Sequence, residues 1–376
     1  TILTEEFGKP PSEVFQEIDE TPVASASISQ VHRAILPGGQ LVALKVRRPG
    51  IEKVAQADLD ILRHLAQLAE RRLPALAPYR PVSVAKEFER TLKREMDFSI
   101  ELRTIDRCRS QFANDPEALI PQVFHDYSTS RVLAMEFIGG VGVDHPEVLV
   151  AQGLDLKQLA ARGARILFKQ IFRFGLFHAD PHPGNLRVMP GGVIALLDYG
   201  MFGHLDALTR ERIGDLMTGL LSEEADRVIR ALDRLEVRGE DLDVSAYRRD
   251  VSELVASYSD LTLETINLNL LLSQLVAVIR AHHLRIPPDL LLLIRALITT
   301  ESLARALDPR FDIAAALKPF LHQLARRRYS PRRWLSQAGH TMDDLQRIST
   351  LLPDVLRHSL ESIRRGELTL KFDLRN

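Results

Sequence analysis

The sequence predicts an α+β fold in two lobes, a small one of strands and helices and a large one that is mostly helical. Two observations carry this. Within the first 200 of the 376 residues, β-rich runs alternate with 3.6-residue apolar periodicity. From Asp206 onward the pattern is helical almost throughout. Between the parts, residues 138–144 read as a hinge. The expected boundaries are 1–138 for the small lobe, 139–330 for the helical lobe and 331–376 for a C-terminal extension of helix and strand.

In chain order, residues 29–36 and 40–46 are β-rich and joined by Pro37-Gly38-Gly39, which predicts a hairpin. Residues 51–73 place Val54, Leu59, Leu62, Leu65 and Leu68 at helical spacing, so an amphipathic helix is expected. Residues 82–112, dense in charge, predict a second long helix. Residues 120–123 and 132–137 are short apolar runs suited to strands, and 156–177 an apolar helix. Residues 186–189 and 193–197 flank Pro190-Gly191-Gly192, a second hairpin. Helical patterns follow near 206–221, 223–236, 244–258, 266–284, 288–307, 312–328 and 341–365. The alternation of Leu368, Leu370, Phe372 and Leu374 reads as a strand without an evident partner.

Composition narrows the function classes. Hydrophobic residues make up 45% and charged residues 26%, enough for a core that needs neither metal nor disulfide. Basic and acidic residues number 49 and 50, so no charge excess points to nucleic acid. Cys108 is the single cysteine, which excludes an intramolecular disulfide and suits a reducing compartment. No apolar run exceeds five residues, against about 20 for a spanning helix. The chain begins at Thr1 and reads as a piece of a longer protein. Only nine of its 49 basic residues are lysine, a bias that suits a GC-rich bacterial genome.

The chemistry concentrates in His178-Ala179-Asp180-Pro181-His182-Pro183-Gly184-Asn185, followed by the second hairpin and Asp198-Tyr199-Gly200. A loop aspartate, an asparagine five residues on and a second aspartate closing a hairpin make a phosphoryl-transfer pattern. Asp180 would orient the attacking hydroxyl, and Asn185 and Asp198 are hard oxygen ligands for Mg²⁺ on nucleotide phosphates. Upstream, Val42-Ala43-Leu44-Lys45 ends a strand with a lysine suited to nucleotide phosphates and to a carboxylate on a following helix. That helix offers Glu95, Asp97 and Glu101. On one continuous helix Asp97 and Glu101 would share a face and Glu95 would lie on another. Ahead of the first hairpin, Ala24, Ser25, Ala26 and Ser27 occupy the place of a glycine-rich phosphate lid, and the loop contains no glycine.

These residues resemble the UbiB/AarF family of atypical, protein-kinase-like proteins linked to ubiquinone biosynthesis. The matching pieces are the alanine-rich loop from Ala24 to His32, V-A-L-K-V-R-R-P-G from Val42 to Gly50, Glu95-Met96-Asp97-Phe98 with Glu101, Met135-Glu136-Phe137-Ile138, His178 to Asn185, and Asp198-Tyr199-Gly200. They occur in order over residues 20–205. The resemblance implies a protein-kinase-like bilobal fold that binds ATP or ADP with Mg²⁺ as an atypical kinase or ATPase in isoprenoid-quinone metabolism. It implies a Lys45–Glu101 ion pair, an E-x-D element in Glu95 and Asp97, and Asp180 as the catalytic-loop aspartate with Asn185 and Asp198 on the metal. The nucleotide would also meet Ala24, Ser25, Ala26, Ser27, Glu136 and Ile138. Quinone-biosynthesis enzymes and a lipid surface are the implied partners, on the cytoplasmic side of a bacterial inner membrane, with no nucleic acid. The family's K-x-G-Q segment is not in this chain, Ser29 stands where glycine is usual, Ser25 where alanine is, and Tyr199 replaces Phe in D-F-G.

Plainer readings stand beside these. Asp180, Asn185 and Asp198 are residue types at home in turns and caps. His178 and His182 either belong to a metal cluster or order the loop by hydrogen bonding. Glu95, Asp97 and Glu101 also suit a solvated salt-bridge face. The basic stretch of residues 326–334 suits anionic lipid or a plain exposed helix end. The leucine-rich residues 270–279 and 290–298 read as core before lipid pocket. Two other functions stay open, a catalytically weak, nucleotide-gated scaffold and a small-molecule phosphotransferase.

Overall fold

Two short helices, α1 (Ile2–Phe7) and α2 (Pro11–Val14), lead into a five-stranded antiparallel sheet in the computed structural model. The structure describes residues 2–73, 80–235, 242–258, 268–284 and 286–328. Residues 1–320 form one compact unit and 321–376 a second; every strand among the described residues, and the cleft between the lobes, belong to the first.

The sheet contains β1 (Glu17–Ile18), β2 (Ala24–Ser25), β3 (Ser29–Ile35), β4 (Leu41–Arg47) and β6 (Val132–Glu136). Its order is β1-β3-β4-β6, and β2 pairs with the other end of β3, so β1 and β2 share one edge. The expected first hairpin is β3–β4; Gly39, at φ 80°, completes its turn. Strand alternation sorts the side chains. Val42 and Leu44 join Ile2, Leu3, Phe15, Ala34 and Val132 in a core on one face, while Ala43 and Lys45 face the cleft.

Three helices lie between β4 and β6: α3 (Ile51–Arg72), α4 (Pro81–Glu95) and α5 (Phe98–Phe112). The single helix expected over 82–112 is therefore two. The break falls at Met96-Asp97, where the Asp97 carboxylate accepts the Ser99 N–H at 3.0 Å and caps α5. On α3 the expected apolar face is only partly buried. Ala55, Leu59 and Ala66 turn inward, whereas Val54, Leu65 and Leu68 are 56%, 58% and 54% exposed. α3 packs along α4.

The second lobe opens with a four-stranded sheet ordered β5-β10-β9-β7, from β5 (Ala118–Leu119), β7 (Val141–Gly142), β9 (Leu186–Val188) and β10 (Ile194–Leu196). The second expected hairpin is β9–β10. Of the strand expected at 120–123, only Val123 pairs, as an isolated bridge to Met135. After α6 (Pro146–Ala151), α7 (Leu156–Phe168) passes into a π-helical turn, Lys169–Phe174, and Gly175, at φ 69°, ends it. The helix expected to 177 thus stops at 174, and β8 (Leu176–His178) follows, paired with β11 (Phe202–His204).

The expected helices appear as α8 (Ala207–Leu221), α9 (Ala225–Arg234), α10 (Val244–Ala256), α11 (Leu268–Ala281), α12 (Pro288–Leu307) and α13 (Ile313–Arg328). Leu271, Leu275, Leu290, Leu293 and Leu297 are buried, which assigns those leucine-rich stretches to the core. The helix expected near 341–365, the strand at 368–374 and the basic segment beyond Arg328 lie outside the described residues.

Candidate functional site

A cleft of about 460 Å³ opens between the five-stranded sheet and the segment from His178 to Asn185. Lys45 projects into it from β4 and donates to both oxygens of Glu101, at 2.9 and 2.8 Å. Glu101 reaches it from the first turn of α5, whose start the Asp97 cap fixes. The Lys45 ammonium also lies 3.4 Å from Asp198 Oδ1 and 5.3 Å from the Phe98 ring centre. The Tyr199 N–H donates to Glu101 Oε1 at 3.3 Å, so strand, helix and post-hairpin loop meet at one carboxylate.

Electrostatics at this junction follow burial and pairing. Burial works against the Lys45 charge, but Glu101 and Asp198 outweigh it and hold its pKa above the ordinary value. Glu101 is pushed up by burial, and Lys45 only partly offsets this. Asp198 ends below the ordinary carboxylate range: burial raises it, while Lys45 and the Gly200 N–H, at 3.2 Å, lower it further.

The segment from His178 to Asn185 is tied by its own backbone. The Asp180 N–H donates to His178 Nδ1 and the Gly184 N–H to His182 Nδ1, each at 3.2 Å. The histidines order the loop, and among the described residues no cluster of three or more His, Cys, Asp or Glu is placed to hold a metal ion. The Asn185 side-chain N–H turns back to the Asp180 carbonyl at 3.2 Å, leaving its Oδ1 free as a hard oxygen donor. With the Asp198 carboxylate this donor set suits Mg²⁺. His178, Phe202 and Tyr199 stack in sequence, with centroid distances of 5.1 and 5.3 Å.

Not every expected site residue faces this cleft. Ala24, Ser25, Ala26, Glu95, Glu136, Ile138, Asp180, Asn185 and Asp198 line it, together with Lys45 and Glu101; exposed Ser27 does not. Asp97 caps α5 and lines a separate depression beside Arg47. Glu95 and Asp97 thus part company, the reverse of the expectation that Asp97 and Glu101 share a helix face. The helix break between them is the reason. Burial and the nearby Asp198 raise Glu95, and Lys45 opposes them. Cys108 is buried and its thiol is pushed up to about 12, which makes it inert.

Two arginines take roles that the motifs did not assign. Arg48 donates to the Ala26 carbonyl at 3.0 Å and to Ser25 Oγ at 2.7 Å, clamping the β2–β3 hairpin. Arg295, on α12, donates to Asp180 Oδ2 at 2.9 Å. Its signal was present: it is the single charge among residues 290–298.

A family description, ABC1 atypical kinase-like domain, matches residues 1–232, and a second, UbiB helical domain, matches 251–312. The Synechocystis protein sll1770 is 31% identical over 98% of this chain and 64% of its own length. The Azotobacter vinelandii protein named probable protein kinase UbiB is 31% identical over 97% of the chain and 69% of its own. Across six such relatives, the chain spans 54% to 69% of their length. The Mycobacterium tuberculosis protein Rv3197, solved in complex with erythromycin, superposes with a TM-score of 0.63 at 22% identity, over 84% of this chain and 80% of its own. That similarity establishes the two-lobed fold.

Proposed function

The chain belongs to the ABC1 atypical kinase-like family, and from that premise we propose that its cleft binds a magnesium nucleotide and activates ATP for phosphoryl transfer or hydrolysis. The observation that supports this best is the convergence of Lys45, Glu101, Asp198, Asp180 and Asn185, from segments as far as 153 residues apart, on one cleft.

Each residue has work that its geometry suits. Lys45, held by Glu101, presents a fixed cation to the nucleotide phosphates. Glu136, Phe137 and Ile138 line the cleft where the base would lie, with the Glu136 and Phe137 N–H groups already held by the Gln122 and Leu41 carbonyls. Mg²⁺, held by Asn185 Oδ1 and Asp198, would neutralise phosphate charge when bound. Asp180 spends Oδ2 on Arg295, which leaves Oδ1 to orient the attacking hydroxyl or water. Following the UbiB relatives, we place this activity in isoprenoid-quinone metabolism, beside quinone-biosynthesis enzymes at the cytoplasmic face of a membrane. Among the described residues no helix is long and apolar enough to cross one.

Phosphate release from Mg·ATP tests the reading. Asp180→Asn should keep nucleotide affinity and lose turnover, because the residue orients the attacking oxygen rather than the nucleotide. Equal turnover by mutant and parent would remove Asp180 from the mechanism.

A further inference from the structure

Beneath the catalytic-loop segment lies a second cavity, of about 40 Å³, between α7, the β9–β10 hairpin and α12. Its walls are apolar, with Leu159, Ala164, Leu186 and Leu303 among them. Three polar side chains interrupt them: Gln170, His178 and Thr300, which are 1%, 1% and 6% exposed. Gln170 Nε2, His178 Nε2 and Thr300 Oγ1 have no hydrogen-bond partner among the described residues. Buried polar atoms are rarely left dry, since each then bears its full desolvation penalty.

The remaining bonds define what the cavity asks for. Gln170 Oε1 accepts the His178 N–H at 3.1 Å, so its amide N–H groups are the free end. His178 Nδ1 accepts the Asp180 N–H, which places the ring proton on Nε2. The opposite tautomer would leave the Asp180 N–H without its acceptor. Burial keeps the ring neutral, with its pKa lowered to about 4. Two donors and a hydroxyl on residues of one lining therefore lack partners and call for acceptor oxygens. Size selects among their carriers. A water needs about 10–15 Å³ of such space, and benzene occupies a cavity of about 150 Å³. The volume suits two or three waters and excludes an aromatic ring.

We propose that this cavity holds an ordered water cluster that bridges Thr300 on α12 to His178 and Gln170, making Thr300 a positioning residue for Asp180. The link runs from the Thr300 hydroxyl through water to His178 Nε2–H, across the ring, and from Nδ1 to the Asp180 backbone. Through it the helical domain sets the geometry of the catalytic loop. The effect on turnover rests on the nucleotide reading of the cleft; the water cluster and the ring tautomer do not.

Thr300→Val keeps shape and removes the hydroxyl, and Thr300→Ser restores it. In ring ¹H–¹⁵N spectra of the full chain, the parent should show a slowly exchanging His178 Nε2–H. That signal should shift in Thr300→Val and return in Thr300→Ser, and a high-resolution crystal structure of the parent should show the waters. ATP turnover should fall about tenfold or more in Thr300→Val at unchanged KM, since a small misplacement of a reacting group is that costly, and recover in Thr300→Ser. A dry cavity, or a His178 ring protonated on Nδ1, overturns the proposal. So does a Thr300→Val protein with the parent's ring signal and turnover. If Thr300→Val does not fold, the parent's ring spectrum and crystal structure decide. A parent that hydrolyses no ATP defeats the nucleotide reading alone.

Discussion

At Lys45 one ammonium serves two carboxylates of opposite character, Glu101 raised by its burial and Asp198 lowered by its partners. Removing the cation strands Glu101, which is 5% exposed. Lys45→Met should cost about 3 kcal/mol, the low end for a broken buried pair, because Glu101 can relieve the strain by taking a proton. The double variant Lys45→Met/Glu101→Gln should regain much of this in chemical denaturation. A double variant no more stable than Lys45→Met would show that the pair is not the cause. His178 makes a pH prediction. Its folded pKa, about 4, lies below the ordinary 6.5, so the unfolded chain binds the extra proton first. Stability should therefore fall as pH drops from 6.5 toward 4, with about 2 kcal/mol lost at pH 5 through this residue. Denaturation of His178→Gln at pH 7 and pH 5 should lack that component; an unchanged pH dependence would contradict it. Lys45, Asp180, Asn185 and Asp198 were legible from motif spacing. The separation of Glu95 from Asp97 was not, because it depends on a carboxylate leaving the helix face to cap the next helix.

The β2–β3 hairpin shows what an element achieves without glycine. β2 and β3 form a hairpin over the cleft, and no residue from Ala24 to Ile28 takes a positive φ. Side chains with a Cβ are therefore unstrained here, and Arg48 fixes the turn from below. Glycine-rich loops fold close over phosphates because they reach the left-handed region, which costs other residues about 1–2 kcal/mol each. Ala24→Gly or Ala26→Gly should raise affinity for Mg·ATP relative to Mg·ADP with little effect on the fold. Parallel titrations with both nucleotides check this; an unchanged ratio would mean that the hairpin never limits the nucleotide. Element existence was legible from turn chemistry: Pro37-Gly38-Gly39 and Pro190-Gly191-Gly192 both mark real hairpins. Boundaries were not. Asp97 split one helix, and Gly175 ended another inside an apolar run. On α3, apolar spacing was right for Leu59 and not for Val54, Leu65 and Leu68, and Ala55 and Ala66 share the buried side with Leu59.

The whole molecule places its chemistry where separate parts meet. Lys45 and Glu101 are 56 residues apart, Lys45 and Asp198 are 153 apart, and Asp180 reaches Arg295 across 115. No local periodicity encodes such contacts. The family resemblance implied the first, whereas the Lys45–Asp198 and Asp180–Arg295 contacts became visible only in three dimensions. The second lobe is thus more than a platform, since α12 touches Asp180 directly and lines the cavity below it. If this convergence is a magnesium-nucleotide site, ligand binding to the folded chain alone raises its melting temperature. The most direct measurement is thermal unfolding of the parent and Asp198→Asn, titrated with Mg·ATP and Mg·ADP. A concentration-dependent rise of a few degrees is expected for the parent and its loss in Asp198→Asn, because the anionic metal ligand is gone. An unmoved parent, or an undiminished rise in the mutant, would contradict it.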